Sequence, residues 1–226
     1  MKFVMVLVEG QTEETFITTV LAPTYPHIQF TPIVNNTSRK PKGDKIRGGG
    51  IRFSSIKKHI GNLLNDSSVN LVTTMLDYHQ LPKDFAGYTP KLTNPVEHAI
   101  QIEQALEAEI GAQERFKAYL SVHDFEALLF SDVAAIAEHV PGNSPHTARM
   151  LQNVLGRYAD PEHINGNQPP ARHLSAHVRG YSKIIHGIPI AQKIGLPKIR
   201  AACPHFNDWL SRLDSLAVGQ SEAQRG

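Results

Sequence analysis

Cysteine is almost missing from this chain: Cys203 is the only one among 226 residues. That excludes an intramolecular disulfide and any cysteine-rich zinc site, and the expected location is the reducing cytoplasm. Long apolar runs are missing too. The longest near the start, Phe3 to Val8, is far too short to cross a bilayer core of ~30 Å. Glu9 follows it directly, where a secretory leader would carry a small-residue cleavage site. Three catalytic signatures are absent as well. The glycine-rich segment around Gly48-Gly49-Gly50 lacks the Gly-Lys-Ser/Thr ending of a nucleotide P-loop, which argues against ATP hydrolysis. No Gly-x-Ser-x-Gly elbow occurs, and none of the twelve histidines forms the His-Glu-x-x-His pattern of a helical zinc site. His173 and His177 could share a helix face, but two ligands are too few. Cys203, Phe206 and the single tryptophan, Trp209, are expected in apolar packing.

What remains is an ordinary globular composition, 41% hydrophobic and 19% charged, in a length that suits one large domain or a core with an appendage. The net charge of +2 says little about partners, but its distribution says more. Cations crowd the segment from Arg39 to Lys58, and no Asp or Glu occurs between His163 and Asn207. Such segregation can steer a polyanion toward an acidic site.

The local pattern alternates. Lys2 to Val8 reads as a strand buried on both faces, and Phe30 to Val34, Val69 to Leu76 and Phe116 to Val122 read as further strands. Helices are expected after each, with Thr12, Ser54 or Ser55 as caps, then from Val96 to Ile110 and from His123 through Phe130. This order predicts a mainly parallel sheet covered on both sides. After Ser131, itself a candidate cap, short helices broken by prolines are expected, ending in an amphipathic helix around Phe206 to Leu213.

Three of these strands end in acids: Glu9, Asp77, and Asp124 with Glu126. Function in open α/β sheets collects at the carboxyl ends of the strands. Like charges gathered there are unfavourable unless a cation or a proton intervenes. Oxygen ligands suit Mg²⁺ or Mn²⁺, which would activate water for attack on a phosphate. Each acid also has a plain structural reading. Glu9 could simply face water, Glu13 and Glu14 favour a helix start, and Asp124 could be a cap. Lys183 could stabilise charge on phosphorus or be a surface lysine. His123 could sit beside a metal or pack at a helix start. In the basic loop Lys42, Lys45, Arg47 and Arg52 are candidate phosphate contacts. Arg172 and Arg179 are candidates in the acid-free stretch.

The stretches Val8-Glu9-Gly10 with Thr12-Glu13-Glu14, Thr73 to His79, and His123 to Phe130 resemble a Toprim-like family of small bacterial proteins, domain of unknown function 4276. The likeness continues through Pro161 to Asn165, Tyr181-Ser182-Lys183, Arg200 and Cys203 to Phe206. It implies a Toprim-like α/β core over 1–130, a mainly parallel sheet flanked by helices, with a helical C-terminal part over 131–226. It implies Glu9 and Asp77 as metal ligands. Glu126 matches the extra acid of nucleases of the overcoming-lysogenisation-defect type. It further implies DNA ahead of RNA as substrate, an AAA-type ATPase partner, assembly into oligomers and a role in phage defence. The second aspartate of the Toprim Asp-x-Asp is His79 here. His79 could ligate the metal, Asp124 could fill the gap, or catalysis could be weakened. The expectation is a Mg²⁺- or Mn²⁺-dependent nuclease. The rivals are a non-catalytic module that binds nucleic acid or an ATPase, and a phosphohydrolase of small nucleotides.

Overall fold

The computed structural model describes residues 1–35, 52–89, 94–111, 114–123, 125–143, 145–164 and 168–218. Lys42, Lys45, Arg47 and Asp124 lie outside the described residues. The chain forms an α/β structure with helices on both faces of the sheet and a run of helices at its C-terminal end. The strands are β1 (Lys2–Val8), β2 (Ile28–Val34), β3 (Leu71–Asp77), β4 (Phe116–Lys117) and β5 (Leu120–Ser121). Their order is β2-β1-β3-β4, with β5 also on β3, and every pairing is parallel. Pro32 sits in edge strand β2, where a missing backbone donor is tolerated.

Between the sheet strands come α1 (Gln11–Phe16), continued by π-helical and 3₁₀ turns to Thr24, then α2 (Phe53–Leu64) and α3 (Pro95–Ile110). The two-residue alternation of β1 and β3 divides the core. Val4, Val6, Val8, Leu71 and Met75 face one apolar cluster; Leu7, Val72 and Leu76 face the other, against α2 and α3. The first cluster also takes in Phe16 and the later helices α4 (Glu126–Leu129), α5 (Val133–His139), α6 (Pro145–Leu155), α7 (Pro170–His177), α8 (Ile188–Ile194), α9 (Leu196–Ala202) and α10 (Pro204–Val218). Phe206, Trp209, Leu210 and Leu213 follow helical spacing on α10 and are all buried. Trp209 stacks on Tyr119 with ring centres 4.6 Å apart.

The structure corrects several local expectations. The run Phe116 to Val122 is two short strands, because side chains take the backbone groups at the break. Thr74 Oγ1 donates to the Tyr119 carbonyl and accepts the Tyr119 N–H. Thr73 Oγ1 donates to the Lys117 carbonyl and accepts from Trp209 Nε1. From the other side, Glu107 and Glu103 accept the N–H groups of Ala118 and Leu120. Thr12, Ser54 and Ser55 cap nothing, since their helices begin earlier, after Gly10 and Arg52. Asp132, not Ser131, caps α5 by accepting from Ala134 and Ala135. Pro145, Pro170, Pro189, Pro197 and Pro204 open helices instead of ending them. Their fixed φ suits the first turn, where the missing N–H would have no partner. Among the described residues no helix is long and apolar enough to cross a membrane.

Candidate active site

The parallel register sets Val8 opposite Met75. The chain therefore leaves β1 at Glu9 beside the end of β3, and Glu9 Oε2 accepts the Asp77 N–H at 2.8 Å. Asp77 folds back on the turn that follows it. Its Oδ1 accepts from the His79 N–H at 2.8 Å and its Oδ2 from Gln80 Nε2 at 3.3 Å. Glu9 is pushed up to about 7, first by burial and then by the charge of Asp77. The Asp77 N–H works against this, Glu13 adds to it, and Lys183 opposes it. Both acids open onto a cleft of about 290 Å³ lined also by Thr12, Glu13, Ser121, His123, Phe125 and Lys183. A larger hollow of about 420 Å³ between α5 and α6 is lined mainly by apolar and uncharged residues such as Val133, Ala137, Pro145 and Ala148.

Glu126, the first residue of α4, has a side chain only 2% exposed and is not among the described residues lining the cleft. It reaches the cleft through Lys183, whose Nζ lies 3.3 Å from Glu126 Oε2. Lys183 opens a π-helical turn, Lys183–Gly187. One ammonium thus stands on the cleft wall with a buried carboxylate behind it and the Glu9–Asp77 pair nearby.

His79 and His123 follow the paired residues Asp77 and Ser121 by two positions each on adjacent strands. Their ring nitrogens, Nε2 and Nδ1, are 3.2 Å apart. His123 is buried and pushed down to about 4, chiefly by desolvation and then by His79 and His163, with the Glu162 backbone opposing.

The candidate phosphate contacts among the described residues stand elsewhere. Arg52 is exposed at the start of α2, and Arg172 and Arg179 are exposed in and after α7; none is among the described residues lining the cleft. The acid-free stretch is largely neutralised in space. Lys193 pairs with Glu138 at 2.8 Å, Lys198 with Asp132 at 2.5 Å and Arg200 with Asp214 at 2.7 Å.

Sequence reasoning missed a second ionisable group of residues. His205, buried at the start of α10, holds Glu103 of α3 at 2.9 Å through Nε2, and its Nδ1 lies 3.6 Å from Glu162. Glu162 also accepts the N–H groups of His205 and Phe206. Burial alone would push His205 down, but hydrogen bonds and charges from Glu103 and Glu162 prevail and raise it to about 9. The stretches Pro161-Glu162-His163 and Cys203-Pro204-His205 were visible as motifs, but nothing in their spacing announced this contact.

The donor set bears on a metal as follows. Among the described residues no group of three His, Cys, Asp or Glu side chains is arranged to hold an ion. Glu9 and Asp77 offer two adjacent carboxylates facing open space, and Glu9 is raised first by burial and then by the Asp77 charge, both of which a cation offsets. Mg²⁺ is commonly held by one or two carboxylates, with water and substrate phosphate completing its shell. The two acids fit that mode of binding.

Fold and site together define an α/β protein with an acidic, lysine-bearing cleft at the carboxyl edge of a parallel sheet. The chain belongs to the family described as "Domain of unknown function (DUF4276)", whose model matches residues 8–214. Among solved structures it is similar to the C-terminal region of the Xanthomonas campestris pv. campestris OLD protein, with 17% identity and a TM-score of 0.36. That match covers 92% of this chain and 95% of the other. Comparison with curated protein sequences gives no match.

Proposed function

We propose that this chain is a divalent-metal-dependent phosphodiesterase acting on nucleic acid, a nuclease of the Toprim kind that its sequence resembles. The observation that carries the reading is the Glu9–Asp77 pair, from adjacent parallel strands, facing one cleft with Lys183. Glu9 and Asp77 would hold Mg²⁺ or Mn²⁺. When bound there, the metal would supply an activated water and neutralise phosphate charge. The protein's own groups do the rest. Lys183 meets the negative charge that builds on the phosphoryl oxygens, where a fixed cation in a partly dry site acts strongly. Glu126 keeps that ammonium on the cleft wall. The paired imidazoles of His79 and His123 border the same edge and can hold or pass a proton. Asp124 remains a proposed further ligand, as do Glu126 and His79. Lys42, Lys45, Arg47, Arg52, Arg172 and Arg179 remain proposed backbone contacts. The sequence resemblance extends the reading to DNA, an AAA-type ATPase partner, self-assembly and defence against foreign DNA.

The test is cleavage of DNA and RNA with Mg²⁺ or Mn²⁺ by the wild type, Glu9→Ala and Asp77→Ala. Metal-dependent cleavage lost in both variants supports the reading. Cleavage of free nucleotides alone moves the activity to a small-nucleotide phosphohydrolase. A second reading is a non-catalytic nucleic-acid or ATPase-binding module. It is favoured by His79 standing where Toprim domains carry an acid. Binding without any cleavage supports it.

A further inference from the structure

Four large apolar side chains of the described residues are exposed: Met1 and Phe3 at the start of the chain, and Ile184 and Ile185. Ile184 is 90% exposed and Ile185 67%, and they are adjacent. They form the tip of the Lys183–Gly187 turn, which is fastened at both feet. At one foot Lys183 lines the cleft and pairs with buried Glu126. At the other, Gly187 lies so close to Phe125, which also lines the cleft, that a Cβ there would come within 3.3 Å of the ring. His186 Nδ1 accepts the Ser182 N–H at 3.0 Å and closes the turn on itself. The isoleucines are thus exposed one and two residues beyond the lysine that lines the cleft.

We infer that Ile184 and Ile185 are a base-contacting wedge, and that the substrate is therefore a nucleic acid strand with unpaired bases. The inference rests on the phosphodiesterase reading above and names its substrate class. Two features select this occupant. The tip is continuous with the cleft through Lys183, so a phosphate at the ammonium brings its own flanking bases to the isoleucines. The chemistry alternates in the same order, a cation for the phosphate and then an apolar surface for a base face. Isoleucine is among the side chains that proteins wedge between stacked bases, at the cost of unstacking them. That cost is least in a single strand or frayed end.

The experiment replaces Ile184→Ser and Ile185→Ser together, a change on exposed side chains that leaves the core untouched. Steady-state cleavage with Mn²⁺ is compared on a single-stranded oligonucleotide, on a blunt duplex and on bis(p-nitrophenyl) phosphate, which has no base. A 2-aminopurine in the single strand reports unstacking by its fluorescence. The expected result is a KM increase of roughly tenfold on the single strand, loss of the fluorescence rise, and unchanged turnover of the baseless ester. Equal KM for wild type and variant on the single strand overturns the inference. So does an equal loss on the baseless ester, or a change in oligomeric mass showing that the tip is a protein contact. A wild type that cleaves none of the three and binds no oligonucleotide overturns the phosphodiesterase reading itself, and this inference with it.

Discussion

The Asp77 N–H donates to the Glu9 carboxylate across 2.8 Å, joining the ends of two parallel strands 68 residues apart in sequence. The pairing of β1 with β3 brings the two carboxylates together, and this hydrogen bond offsets part of what burial and the Asp77 charge cost Glu9. The site is therefore built at a cost to the fold, as functional sites commonly are.

From this relationship, Glu9→Gln is expected to raise the melting temperature at pH 8 in metal-free buffer. The neutral amide removes a half-buried charge beside Asp77. The same substitution is expected to remove the additional stabilisation that wild type gains from millimolar Mn²⁺, which follows ordinary binding linkage. Differential scanning fluorimetry with and without Mn²⁺ reads both. An unaltered metal shift in the variant would take Glu9 out of the ligand set.

Lys183→Met takes the lysine away from Glu126, whose side chain is 2% exposed. The expected loss of stability is about 1–3 kcal/mol, with turnover falling on the order of 100-fold. Adding Glu126→Gln to that variant should recover stability without recovering turnover. Urea unfolding alongside a cleavage assay distinguishes the packing role from the chemical one.

His205 should make stability fall at alkaline pH. Its folded pKa, about 9, lies above the ordinary value of 6.5. The native state then binds more protons than the unfolded chain between those values. The contribution is full below about 6.5 and is lost as pH rises through about 9, on the order of 3 kcal/mol. His123, lowered to about 4, has the opposite sign: its contribution is full above 6.5 and is lost as pH falls toward 4. Glu9, raised to about 7, favours folding below about 4.5 and loses that contribution as pH rises to about 7. Among these three groups, His205 therefore owns the interval from pH 7 to 9. Unfolding free energies at pH 7 and 9.5 should differ in wild type and differ much less in His205→Asn, where the buried Cys203 thiol, raised by desolvation, leaves a smaller slope of the same sign; a slope undiminished by the substitution would assign it to another group.

Trp209 is the chain's single tryptophan and is buried against Tyr119, with its Nε1 on Thr73 of β3. Its fluorescence reports the junction of α10 with the sheet. Because one apolar cluster spans β1, β3 and the later helices, fluorescence and far-ultraviolet circular dichroism should melt together. Two separated transitions would instead mark the helical part beginning near residue 131 as an independent unit. Trp209→Phe, losing the hydrogen bond and part of the stack, is expected to cost about 1–3 kcal/mol.

The strands and their direction were legible because their signal is local. An apolar β-branched run such as Lys2–Val8 can be satisfied only with both faces covered, and its bounds match the structure. Glu9 and Asp77 were legible as strand-end acids, since adjacent parallel strands carry them to one edge, whereas Glu126 lies buried behind Lys183. Helix starts were less so: Thr12, Ser54, Ser55 and Ser131 are chemically able caps, but which residue caps depends on where the preceding turn leaves the backbone. The break after Lys117 was hidden because its causes, Thr73, Thr74, Glu103 and Glu107, act from other elements.

Sequence alone determined the α/β class, the parallel sheet and the identity of the acids at its edge, because periodicity and connection length are properties of neighbouring residues. Tertiary structure alone decided that Lys183 backs onto Glu126, that His205 lies between Glu103 and Glu162, and that Lys193, Lys198 and Arg200 of the acid-free stretch pair with Glu138, Asp132 and Asp214. Those partners lie between 14 and 102 residues apart. A charge takes whichever opposite charge the packed core brings within reach, and apolar burial chooses the packing.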